Sequence, residues 1–196
     1  MLQRTFPYGT ADRDAHLQAI ASAKAMNRRL KKSASRQAEW EFVGPTNIGG
    51  RISDLEYDPI NPQTIYAGAA TGGVFKSTDG GETWQPVFDD QAVLPIGDIA
   101  IDSKNPEIVY VGTGEANGGH NNFPGGGVFK STDGGANWQH IGLTETTTIS
   151  RILVDPVDSK RIYVASIGGY FGPDEHRGIF RSLDSGVTWA KILFIN

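Results

Sequence analysis

The chain has 196 residues, a formal net charge of −4 and no cysteine. Those values exclude a disulfide framework and a thiolate metal site, and they do not indicate a polyanion-binding surface. No apolar run approaches the length of a membrane span, and 25 glycines point to many tight turns.

The first residues, Met1-Leu2-Gln3-Arg4-Thr5-Phe6-Pro7, lack the basic-then-apolar pattern of a secretory signal. Residues 1–38 read as a helical leader. Helix formers fill 12–37, and Arg28, Arg29, Lys31, Lys32 and Arg36 crowd its end, where cations suit the helix dipole. A solvated helix fits better than a nucleic-acid arm, because no basic–aromatic interleaving follows.

Residues 39–44, from Glu39 through Trp40 to Gly44, read as a short outer strand. After it the chain repeats a unit three times, over 51–90, 95–143 and 148–196. Each unit has four short β-type segments, A to D, rich in β-branched and aromatic residues and separated by Gly, Asn, Pro and Asp. Segment A closes on Asp58, Asp102 or Asp155. Segment B surrounds Tyr66, Tyr110 or Tyr163. Segment C carries Val74, Val128 or Ile179, and segment D starts at Trp84, Trp138 or Trp189.

A turn of pattern S-x-D-x-G-x-[TN]-W joins C to D each time. It comprises Ser77, Asp79, Gly81 and Trp84; then Ser131, Asp133, Gly135 and Trp138; then Ser182, Asp184, Gly186 and Trp189. Ser and Asp side chains are expected to accept backbone N–H groups a residue or two along. The Gly supplies a backbone conformation that a Cβ would penalise. The Trp then buries a large apolar surface. Three copies at one topological point predict a structural role.

The spacing from Trp84 to Asp102 is 18 residues, that from Trp138 to Asp155 is 17, and that from Trp40 to Asp58 is again 18. Segment 39–44 is therefore a D strand that lacks its own A, B and C. Only the B–C connection varies in length, and loop variation on a fixed scaffold is where function usually sits.

These turns resemble the Asp-boxes of BNR-repeat proteins, of sortilin/VPS10-like domains and of xyloglucanase-type glycoside hydrolases. The segments 44–52 and 110–115, with the leader, are most similar to large secreted sortilin-N-terminal/BNR-repeat proteins. The resemblance implies an all-β fold: a partial β-propeller of three four-stranded blades plus an orphan outer strand, preceded by a short α-helical leader. It also implies an extracellular or cell-surface location. Three blades do not close a ring, since propellers use about four to eight. The chain is thus expected to be an N-terminal fragment whose partners are the missing blades of the same polypeptide. A two-chain ring of about six blades is the alternative.

The expected function is a non-catalytic module that binds a protein or a glycan through its B–C loops. Candidate ligand residues are Glu115, Asn117, His120 and Asn121 in the second unit and Tyr170, Glu175 and Arg177 in the third. Carboxylates and amides bond hydroxyls, and aromatic rings stack on sugar faces. The other reading is a fragment of a xyloglucanase- or sialidase-like hydrolase. Xyloglucanase-type resemblance implies a catalytic Asp in a D-to-A loop, where Asp89 and Asp90 lie, with its partner acid in absent blades. For a sialidase, Arg51, Arg151 and Tyr170 are present, but no arrangement of them follows from the sequence. Asp54, Asp98 and Arg151 sit at equivalent places in segment A and predict a charge network along the propeller axis, or a sugar-binding funnel. His16, His120, His140 and His176 have no metal-ligand spacing. Glu115 and Asn117 do not form an EF-hand-like calcium pattern. No metal or cofactor is expected.

Overall fold

A computed structural model describes residues 15, 18–19, 21–23, 25–26, 50–117, 123–170 and 172–194. The chain divides into two units, Met1–Ile48 and Gly49–Asn196. In the first, all described residues are helical and exposed, as the leader composition predicts. The expected outer strand at 39–44 lies outside the described residues.

The second unit contains three four-stranded antiparallel meanders. The first comprises β1 (Ile52–Tyr57), β2 (Ile65–Ala69), β3 (Gly73–Ser77) and β4 (Gln85–Pro86). The second comprises β5 (Ile96–Ile101), β6 (Val109–Thr113), β7 (Val128–Ser131) and β8 (Gln139–His140). The third comprises β9 (Ile149–Val154), β10 (Ile162–Ser166), β11 (Gly178–Ser182) and β12 (Ala190–Leu193). These are the three blades, and the fold is an all-β partial propeller. The outer strands begin one residue after the Trp rather than at it.

Asp58, Asp102 and Asp155 end the inner strands by a shared device. Their Oδ1 atoms accept the backbone N–H of Ile60, Lys104 and Val157 at 2.7, 2.9 and 2.7 Å, an Asx turn into the next strand.

The core lies between blades. One cluster joins Tyr66, Val74 and Phe88 of the first blade to Ile96, Ile99, Val109, Val111 and Phe129 of the second. Phe88 meets Phe129 and Trp138 edge-on at 5.3 and 5.1 Å. The other cluster joins Tyr110 and Val128 to Ile149, Ile152, Ile162, Val164 and Phe180. The first and second blades thus each present an outgoing face, with the segment-B Tyr and segment-C Val, to the incoming face of the next. Burying a Val, Ile or Phe side chain contributes about 1.5–3 kcal/mol, so these interfaces are the main source of stability.

The blades approach closely along segment B. A Cβ on Gly68 would lie 2.7 Å from Ile96 Cγ2, and one on Gly112 would lie 2.4 Å from Ile149 Cγ2. Glycine at these two points lets the inner strand of the next blade seat against the sheet.

Candidate functional site

The Asp-box turns share one hydrogen-bond pattern. Ser77 Oγ donates to Asp79 Oδ1 at 2.7 Å and accepts the N–H of Asp79 and, four residues on, of Gly81. Asp79 Oδ1 accepts the N–H of Thr83 and Oδ2 its hydroxyl, at 2.9 and 2.6 Å. Asp133 and Asp184 repeat this with Asn137 and Thr188. The Ser hydroxyls accept the N–H two residues along as expected, and the Ser and Asp side chains also reach four residues on. Donation from the residue at Thr83, Asn137 or Thr188 holds all three carboxyls down at about 2.

Trp138 Nε1 donates to Val87 O and Trp189 Nε1 to Ile141 O, each at 2.8 Å on the preceding blade. The turn therefore clamps one blade to another. Trp84, at the first blade, stays 38% exposed and donates to Gly81 O of its own turn. Its expected burial fails because no preceding blade covers it among the described residues.

The axis carries a second clamp. A register shift in β1 and in β5, between Ile52 and Asp54 and between Ile96 and Asp98, re-aims the acid that follows. Asp54 Oδ2 accepts the N–H of Ile99, and Asp98 Oδ2 that of Ile152, both at 2.7 Å. Arg151 replaces the acid in the third blade. Its guanidinium points back to Asp98 at 3.1 Å and to Glu56 at 3.9 Å. The expected axial charge network is present here. Burial raises the Asp98 carboxyl to about 7, against the Ile152 N–H, with Asp54 and Glu56 raising it and Arg151 lowering it.

The elaborated B–C loops hold most of the candidate ligand residues. Glu115 is fully buried and paired with Arg51, whose Nη2 lies 2.6 Å from Oε2. Tyr170 Oη donates to the backbone carbonyl of Glu115 at 2.6 Å. Glu115 thus meets Arg51 of the first blade and Tyr170 of the third at one point. Arg177 ties its own loop, donating to Ile167 O at 2.8 Å and to Gly169 O at 2.9 Å. Asp174, which the sequence reading did not single out, accepts the N–H groups of Gly169 and His176. Its burial opposes ionisation, but these donors and the His176 and Arg177 charges leave its pKa below the usual value. Asn117 and Glu175 are exposed, and His176 Nε2 lies 3.9 Å from Glu175 Oε1. His120 and Asn121 lie outside the described residues.

Asp89 and Asp90 are exposed. They line a groove of about 380 Å³ with Pro86, Val87, Gln91 and the 135–138 turn of the second blade. This groove runs between the outer strand of one blade and the Asp-box of the next. Among the described residues no cluster of acids and histidines has metal-binding geometry, and no helix is long and apolar enough to cross a membrane.

The fold and its turns define a β-propeller built from Asp-box repeats, and the BNR/Asp-box repeat family matches residues 75–86. The chain is 28% identical over 195 residues to a xyloglucanase of Paenibacillus sp, covering 89% of this chain and 17% of that protein. It is 27% identical over 168 residues to xyloglucanase Xgh74A of Acetivibrio thermocellus, covering 79% and 19%. Among solved structures it is similar to the GH74 enzyme of Niastella koreensis, with 28% identity and a TM-score of 0.56 over 79% of this chain and 24% of that one. YCF48 from Cyanidioschyzon merolae shares the fold, at 18% identity and a TM-score of 0.50 over 76% and 38%. The chain spans about a fifth of the length of the xyloglucanases it matches.

Proposed function

We propose that this chain is a non-catalytic, extracellular propeller module that binds a protein or glycan ligand through its B–C loops. The supporting observation is what its buried and half-buried acids do. Glu115 is neutralised by Arg51, and Asp54 and Asp98 hold the next inner strand. Each is committed to holding the fold. Asn117 and Glu175 are exposed on the loop face and His176 is half-buried beside them, groups that bond hydroxyls and amides. The length of the xyloglucanases fits a longer parent that supplies further blades. The test is a glycan array and a peptide-display screen on the chain. Asn117→Ala with Glu175→Ala should lower binding at least tenfold while the thermal transition stays put. Deleting the loop is a poor test, because it removes buried Glu115. Binding unchanged in the double variant removes these loops from the function.

The second reading is a xyloglucan-acting fragment, favoured by the likeness to xyloglucanases and by Asp89 and Asp90 lining a groove. Loss of xyloglucan hydrolysis by the parent on Asp89→Ala with Asp90→Ala would establish it. The same assay on sialosides separates the sialidase variant.

A further inference from the structure

The groove between the first and second blades carries charges that the junction itself does not use. Part of its wall is the Asp-box clamp: Trp138 Nε1 donates to Val87 O at 2.8 Å, and Phe88 meets the indole edge-on at 5.1 Å. Asp89 and Asp90 line the same groove and are exposed, while Trp138 is half-buried. At the next junction Trp189 Nε1 makes the same clamp on Ile141 O. There Leu143 and Thr144 stand five and six residues after the Trp, where Asp89 and Asp90 stand at the first. Two blades therefore dock without these acids. Asp89 makes no hydrogen bond or ion pair among the described residues.

The polar groups of the groove specify what it is made to meet. The indole N–H of Trp138 is engaged by Val87 O. Asn137 Nδ2 donates to Asp133 Oδ2 at 2.7 Å, and its backbone N–H donates to Asp133 Oδ1 at 2.8 Å. Gln91 is the other lining side chain with an N–H, and no lysine or arginine lines the groove. The lining is thus rich in acceptors and poor in donors. A sugar hydroxyl donates and accepts, so it draws on both kinds of group. A guanidinium only donates. Carboxylates take its N–H groups in pairs, and an aromatic ring attracts its charge. The volume of about 380 Å³ lies in the range of about 300–1,000 Å³ usual for ligand sites.

We propose that this groove binds an arginine side chain of a partner peptide. Asp89 and Asp90 accept its guanidinium N–H groups, and Trp138 and Pro86 pack against its plane and stem. Arginine suits the groove better than lysine, because its planar fork matches a carboxylate and stacks on an indole. The inference goes beyond both readings above: the B–C loops take no part, and the two acids act by charge without breaking a bond. Because the carboxylates are exposed, salt screens the attraction.

The test is a titration of the full 196-residue chain with the blocked peptide acetyl-Gly-Arg-Arg-Gly-amide, read from the indole N–H resonance of Trp138. A saturable shift is expected, weakening as sodium chloride rises and the screening length shortens. The same peptide with citrulline for arginine keeps the shape and loses the charge, and it should bind at least tenfold more weakly. Asp89→Asn with Asp90→Asn should lower the affinity for the arginine peptide at least tenfold and leave the thermal transition in place. Glu82→Gln with Glu175→Gln removes the same charge from exposed acids outside the groove and should change nothing. A Trp138 signal that stays put at millimolar peptide, equal binding of the citrulline peptide, or binding unchanged in the Asp89 and Asp90 double variant overturns the proposal. So does a xyloglucan oligosaccharide that moves the Trp138 signal where the peptide does not, which assigns the groove to the second reading. Loss of binding in the Asn117 and Glu175 variant of the loops bears on the loop reading alone.

Discussion

The carboxylate of Asp98 accepts the backbone N–H of Ile152 at 2.7 Å, as Asp54 accepts that of Ile99 at the same distance. One side chain therefore fixes the register between consecutive inner strands. It does so from a buried site, which raises the Asp98 carboxyl to about 7. In the unfolded chain the group has an ordinary carboxyl pKa near 4. Between about pH 4 and pH 7 the native state thus holds a proton that the unfolded state has released. Stability contributed by this group is complete below about pH 4, falls as pH rises to about 7, and is level above it. Urea midpoints of the Asp98→Asn chain should lack that decline relative to wild type. A decline of the same size in both chains would assign it elsewhere.

The blade period was legible because the turn uses large, rare, well-spaced residues: Trp, Asp and Gly at fixed offsets. Segment boundaries followed from β-branched runs between Gly and Asp. The clamps were less legible. Asp54, Asp98 and Arg151 showed only as equivalent charged positions, since a carboxylate reaching a backbone N–H 45 or 54 residues away leaves no local pattern. Glu115 read as a ligand group because its neutralising partner, Arg51, lies 64 residues before it. Arg177 read the same way, although its targets are carbonyls of its own loop. Chemistry that ends on backbone atoms carries no signature at the receiving end.

Ser185 tests the turn geometry. It adopts φ 62° in the third Asp-box, where Gly80 and Gly134 adopt 74° and 63°. A side chain in that left-handed region costs on the order of 1 kcal/mol. The contact made there, Lys130 Nζ to Ser185 O, uses the backbone and survives replacement. Ser185→Gly should therefore stabilise the chain by about 0.5–1 kcal/mol, after the entropy that glycine adds to the unfolded state. Equilibrium urea denaturation with an unchanged slope measures it. A loss of stability would mean that the hydroxyl has a role that the turn does not show.

Gly112 tests the closeness of the blades. A methyl there meets Ile149 Cγ2 at 2.4 Å and Ile149 Cβ at 3.0 Å, both in the packed core. Gly112→Ala should cost about 1–3 kcal/mol, the usual range for overpacking. Gly112→Ala combined with Ile149→Val should recover part of that loss, because the two sites share one contact. A double variant no more stable than Gly112→Ala would place the strain in the strand backbone instead.

The Asp-box carboxyls contribute to the acid sensitivity of the fold. Asp79, Asp133 and Asp184 are held at about 2, below their unfolded value near 4. Their contribution is fully present above about pH 4 and is lost as pH falls through about 2, the opposite slope to that of Asp98. Each depression comes first from the side chain at Thr83, Asn137 or Thr188. Thr188→Val removes the 2.6 Å hydroxyl donor to Asp184 Oδ2 and keeps the backbone N–H bond at 2.8 Å. The carboxyl of Asp184 should then titrate at higher pH, and the acid unfolding midpoint should move up with it. Carboxyl chemical shifts followed from pH 6 to pH 2 report both changes. An Asp184 titration unmoved by Thr188→Val would leave the backbone donors as the cause of the depression.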